Sequence, residues 1–147
     1  MATVIRDDTR NQAAFDRTLT NLLIRNNSFL KSDYANISGA LETVVVGQVM
    51  GRVATTQKLV VCKSGASDGS QYPVAVMVQE LTAVPIAGTV DNIAPCNGGV
   101  INVNEIVLDG TDTLATLVNT ISMRDHLIAN TKGLELIDVL ENTDFDN

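Results

Sequence analysis

A chain of 147 residues with 45% hydrophobic but only 3% aromatic residues, and no tryptophan, has the length for one domain with a core of Val, Ile, Leu and Ala. Its net charge of −7 repels a phosphate backbone, and its few flat rings offer nothing for bases or sugars to stack on, so no nucleic-acid partner is expected. No apolar run is long enough to span a bilayer and the N-terminus lacks a signal-peptide profile, so no membrane partner is expected and synthesis in a cytoplasm is.

Charge is unevenly placed. Residues 1–35 hold five of the ten basic residues (Arg6, Arg10, Arg17, Arg25 and Lys31) against four acids, whereas residues 135–147 hold five acids and no base. Within residues 1–35 two readings stand side by side. Ala14, Phe15, Leu19, Leu22 and Leu23 form a partial helical stripe over residues 11–24 that Asn26-Asn27-Ser28 would stop. The alternative is an extended arm ordered only by a partner, or a flexible tip followed by a short helix. Asn26-Asn27-Ser28 and Asn36-Ile37-Ser38 match glycosylation sequons but read here as loop chemistry.

From residue 41 to 106 the pattern is strand and turn. A β-branched stretch over residues 43–49 is interrupted at Gly47 and Gly51, where a bulge or a close backbone approach is expected. Strands over residues 59–63, 74–81 and 89–93 follow, then a turn at Asn97-Gly98-Gly99 and a strand over residues 100–108. Val44, Val45 and Val46, and likewise residues 74–78, are apolar on both faces, so a helix or another subunit must cover them.

A helix is expected next. Asp109 to Asp112 offer an N-cap, Leu114, Leu117, Val118, Ile121 and Ile128 repeat at helical steps, and Lys132-Gly133 supplies a left-handed stop. Residues 134–140 read as a strand and 141–147 as an acidic tail. The resulting fold class is mainly β or α+β: a small β-sandwich or barrel-like, β-tulip-like body over residues 36–140, one helix in its C-terminal half, and a flexible arm over residues 1–35.

Little in the chain points to bond-making chemistry. Ser70 lies near Asp68, but the only histidine, His126, sits on the expected helix, and Asp68-Gly69-Ser70-Gln71-Tyr72 does not match a nucleophile elbow. Ser70 reads as a turn residue bonding its own backbone, and His126 as a solvated helix residue. Asp7-Asp8, Asp109 with Asp112, and the C-terminal acids lack calcium-loop spacing. Cys62 and Cys96, expected reduced, are with one histidine too few for a structural zinc site. No catalytic residue, metal or cofactor is therefore expected.

The most informative stretch is Ser67-Asp68-Gly69-Ser70-Gln71-Tyr72-Pro73, a polar turn running into the apolar residues 74–77. Its Asp-Gly supplies a turn, and the residue before Pro73 must be extended. Upstream stand residues 59–63 and Gly47-Gln48-Val49-Met50-Gly51. A G-x-V-x-G strand, a short strand, an S-D-G-S-Q turn and a strand of small and branched residues, in that order, resemble the head decoration proteins of tailed bacteriophages, the lambda D-like family. Residues 93–104, with Gly98 and Gly99, and Arg124-Asp125 followed by Gly133-Leu134 resemble its later segments.

The resemblance implies a homotrimer on the outer surface of the virion, made in the bacterial host's cytoplasm. It implies binding to the major capsid protein at three-fold and quasi-three-fold sites of the expanded head, cementing it against the pressure of packaged DNA. It also implies an N-terminal arm that adds a strand to the shell. Thr3, Val4 and Ile5, preceding Arg6, are the residues suited to that strand, because strand addition draws on backbone bonds. A different class, a small β-sandwich binding or adaptor module of a phage tail or baseplate, or a carbohydrate-binding module, competes with this reading.

Overall fold

The computed structural model describes residues 22–138. In chain order the strands are β1 (Leu23–Phe29), β2 (Ser32–Ala35), β3 (Glu42–Val44), β4 (Val49–Arg52), β5 (Leu59–Val61) and β6 (Pro73–Val76). They continue with β7 (Leu81–Val84), β8 (Thr89–Ile93), β9 (Cys96–Asn102), β10 (Leu117–Val118) and β11 (Ile121–Ser122); the helix α1 (Met123–Ala129) and β12 (Lys132–Ile137) close the fold. Among the described residues the fold is mainly β, with one named α-helix. Its principal sheet is a curled half-barrel in the order β1-β9-β6-β4-β5-β2-β8, with β12 also on β9; β3-β7 and β10-β11 form two small ribbons. The candidate arm strand Thr3–Arg6 and the acidic tail lie outside the described residues.

The central strands bury both faces, and the same chain covers each. Neighbouring residues diverge as the pleat demands: Val49, Cys62 and Val76 enter one core, Met50, Val61 and Met77 the other. Met123 and Leu127 of α1, Val118 of β10, and Leu134 and Leu136 of β12 close the first. Val44 of β3 and Leu81 and Val84 of β7 close the second, around Tyr34. Burying each large apolar side chain contributes about 2 kcal/mol. The chain itself thus covers Val44, Val76 and Met77 on their two faces, whereas Val45, just past β3, is left 37% exposed.

Residues 22–35 join the sheet. β1 pairs antiparallel with β9, from Leu23 opposite Ile101 to Phe29 opposite Cys96, and β2 lies between β5 and β8. The chain is thus strand, not helix, from Leu23 onward. Asn26 takes a positive φ of 55° and Asn27 Nδ2 donates to the carbonyls of Gly98 and Val100 at 3.3 and 3.1 Å. The Asn-Asn-Ser stretch thereby bends a strand whose partner lies some seventy residues away, a relation no local periodicity reports.

Asn97-Gly98-Gly99 is not a turn but the middle of β9. A β-carbon on Gly98 would strike Ser28 Oγ, and one on Gly99, whose φ is +89°, would strike the Asn26 carbonyl. These glycines let β1 cross closely, and the register shifts there.

The helix is also shorter than its apolar spacing suggests. Residues 109–122 form turns and the β10-β11 hairpin, because Thr side chains compete for the backbone: Thr113 Oγ1 accepts from Ala115 N–H (3.2 Å) and Thr116 Oγ1 from Thr113 N–H (2.8 Å). Ser122, rather than Asp109 or Asp112, is the N-cap, its Oγ accepting from Asp125 N–H at 3.2 Å. The helix ends at an Asn130 cap. Gly133 does take a left-handed φ of +67°, but inside β12, where the register against β9 shifts.

Candidate functional site

The G-x-V-x-G segment and the Ser67–Gln71 turn meet in space. At its start, Gly47 (φ +92°) donates its N–H to the Met77 carbonyl and accepts from Val107 N–H, both at 2.8 Å, and its missing β-carbon makes room for the Glu105 carbonyl. At its end, Gly51 lies under the Ser70 backbone, where a β-carbon would overlap the Ser70 carbonyl oxygen. Both glycines are backbone contacts rather than hinges.

The turn is organised by its own side chains. Asp68 Oδ1 accepts from Ser70 N–H at 3.0 Å and from Ser70 Oγ, and Gly69 (φ +100°) donates its N–H to Gln71 Oε1 at 2.9 Å. The two bonds from Ser70 hold the Asp68 carboxyl below the usual carboxylate range. Ala54 N–H, donating to the Asp68 carbonyl at 2.8 Å, pins the turn to the end of β4. Pro73 opens β6 buried, its carbonyl accepting from Asn130 Nδ2 at 3.2 Å. Ser67 is exposed at the turn's outer side.

Ser70 is a buried turn residue whose hydroxyl hydrogen goes to Asp68. His126 is half-buried rather than solvated: its Nε2 bonds the Val118 carbonyl at 2.7 Å, and its ring meets that of Tyr72 edge-on at 5.1 Å. Asp109 and Asp112, expected at a helix start, instead hold the loop after β5. Asp112 accepts from Ser64 N–H (2.9 Å) and Oγ (2.6 Å), and Asp109 stands 4.0 Å from the Lys63 ammonium. Among the described residues no three His, Cys, Asp or Glu gather as metal ligands, and no helix is long and apolar enough to cross a membrane.

Beside the turn lies a notch of about 150 Å³, lined by Ile37, Ser38, Glu42, Val60, Val61, Lys63, Ala66, Asp68 and Ser70. The hydroxyl of fully buried Tyr34 donates to Glu42 Oε1 and fixes one of its carboxylates. Burial first, then the bond and charge of Glu42, keep that tyrosine protonated far above its usual range. Next to the notch, buried Asn36 donates to the carbonyls of Ala40, Val84 and Pro85 at 2.7, 2.9 and 3.1 Å. Its Oδ1 accepts from Ser38 N–H and Oγ, so Asn36-Ile37-Ser38 is the loop chemistry its sequence suggests. Sequence reasoning missed Tyr34, Asn36, Glu42 and Lys63 as neighbours of the turn, because they come from separate segments that only the fold assembles.

This geometry defines a β scaffold in which the distinctive residues serve backbone approach and turn closure, a construction suited to presenting a surface. The family follows from the sequence as a whole: residues 15–120 match the model of the bacteriophage lambda head decoration protein D, and the chain belongs to that family of structural capsid proteins. Its role is decoration of a phage capsid and its place is the virion. No curated protein matches the chain.

Proposed function

We propose that the protein acts as a homotrimeric cement on the outside of an expanded phage head. It binds the major capsid protein at three-fold and quasi-three-fold sites and stiffens the shell against packaged DNA. Family membership over residues 15–120 carries this reading. The acidic surface supports it, since like charge keeps copies crowded on one lattice from clumping. Three weak contacts made together hold far better than one. No bond is made or broken.

The segment before β1 serves as the docking strand, with Thr3, Val4, Ile5 and Arg6 as its pairing residues. Strand addition suits this stretch, because its affinity comes from main-chain bonds and asks little of side chains. The body then runs through β12.

Two measurements test the proposal. Light scattering on size-exclusion eluate should give a trimer, and mixing with expanded, undecorated heads should give co-sedimentation. Deleting residues 1–10 should weaken co-sedimentation and leave the melting temperature unchanged. A protein that stays monomeric and ignores every head preparation would sink the reading; unchanged binding by the truncated form would remove the arm alone.

A further inference from the structure

The notch beside the Ser67–Gln71 turn is too small for a metabolite: about 150 Å³ against the roughly 300–1,000 Å³ of ligand pockets. It is the size of one long side chain. Val60, Val61 and Ala66 give it an apolar wall, and Glu42 and Asp68 contribute two carboxylates. Both carboxylates are held in place by the fold, Glu42 by the Tyr34 hydroxyl and Asp68 by Ser70. Lys63, the cation in the lining, stands 4.0 Å from Asp109 and shares its charge with that partner. An aliphatic stem on the apolar wall with a cationic head reaching these carboxylates fits this lining.

The notch opens beside apolar surface. Ile37, Leu41 and Ile86 are 58%, 67% and 64% exposed, three of the four most exposed large apolar side chains of the described residues. Asn36 gathers their loops by bonding Ala40, Val84 and Pro85. Ile37 lines the notch, and Leu41 and Ile86 stand exposed on the loops that Asn36 ties together, so exposed apolar side chains and the charged notch share this end of the fold.

We propose that this end of the fold meets the phage shell, and that the notch takes one arginine or lysine side chain of the shell protein. The inference rests on the capsid-decoration reading and deepens it. A second copy of this chain is the poorer occupant, because residues 22–138 carry seven Lys and Arg against eleven Asp and Glu.

The test is the double variant Glu42→Gln, Asp68→Asn, which keeps an acceptor for Tyr34 and for Ser70 while removing both charges. It should retain the wild-type oligomer by light scattering, bind expanded undecorated heads about tenfold more weakly, and show a shallower fall of binding with salt. Ile37→Lys, at an exposed position, puts a cation at the mouth of the notch without disturbing the core and should weaken head binding comparably. It decides the matter if the double variant misfolds. Unchanged head binding by a folded variant overturns the inference while leaving the decoration reading intact. Loss of self-association in place of head binding assigns the notch to a second copy and also overturns it. Wild-type protein that ignores heads removes both readings.

Discussion

Gly51 in β4 lies so close beneath Ser70 that a β-carbon on it would overlap the Ser70 carbonyl oxygen. The two residues belong to the two halves of the family motif, and the absent side chain is what lets the turn sit on the strand. Gly51 cannot readily retreat, since it pairs with Val60 on one side and Pro73 on the other. Gly51→Ala should therefore cost about 3 kcal/mol through forced displacement of the turn. Gly65→Ala, with nothing within 4 Å of the added carbon, should stay within about 0.5 kcal/mol of wild type. Urea unfolding of the two variants checks both; equal midpoints would refute the contact.

Asp68 should make the turn acid-sensitive. Its carboxyl is held below its ordinary value by the bonds from Ser70, so the folded protein favours the ionised form. The stabilisation is complete above the unfolded value of about 3.9 and disappears as pH falls through the lower folded value. Asp68→Asn should melt below wild type at pH 6, and the gap should shrink progressively below about pH 4. Melting temperatures at half-unit intervals from pH 2.5 to 6 measure it; a gap independent of pH would assign the difference to geometry rather than charge.

How much of this was legible in the sequence depended on whether the deciding contact was local. The Asp68–Ser70 turn and the strand at Thr89–Ile93 answer to neighbouring residues, and the chain spells them out; Gly47 and Gly51 signalled a close backbone approach, but their partners Glu105 and Ser70 lie elsewhere in the chain. The β1 pairing does not, because its partner β9 lies far along the chain and an edge strand carries a weak pattern. Gly98 and Gly99 read as a turn since glycine serves close crossing as readily as reversal. The stretch from Leu114 to Ile121 has helical spacing, yet its threonines cap their own turns. The notch was invisible for a related reason: Glu42, Lys63 and Asp68 share no motif.

The hairpin that replaced that expected helix carries its own strain. Asn119 and Thr120 join β10 to β11 with φ of 54° and 71°, the left-handed pair that a two-residue hairpin turn needs. Asn tolerates this; a β-branched Thr pays for it in crowding of its side chain against the backbone. Thr120→Gly should stabilise the protein by on the order of 1 kcal/mol, the relief of that strain less the added freedom of glycine in the unfolded chain. Chemical denaturation would show a raised midpoint at unchanged slope. A lowered midpoint would mean that the Thr120 side chain contributes something the turn geometry does not reveal.

Cys62 and Cys96 stand at the ends of one row of side chains in the first core. Cys62 donates its N–H to the Val49 carbonyl at 3.1 Å, Val49 pairs with Val76, and Val76 pairs with Cys96. Three strand spacings separate the cysteines by about 14 Å, twice the reach of a disulfide at roughly 7 Å between α-carbons. Both thiols are buried and free. Burial, reinforced by the charges of Asp112 and then Asp109, pushes Cys62 up to about 12; burial also raises Cys96, against the opposing bonds of Gly98 and Asn27. A thiol raised in the fold stabilises it fully below its ordinary value of 9.0 and ceases to do so as pH climbs through about 12. The protein should therefore lose stability progressively above pH 9, and Cys62→Ala should flatten that decline. At neutral pH, Ellman's reagent should label neither thiol in the native protein and both in guanidinium, with no linked peptide after mild oxidation. Recovery of a Cys62–Cys96 peptide from native protein would contradict the strand order itself.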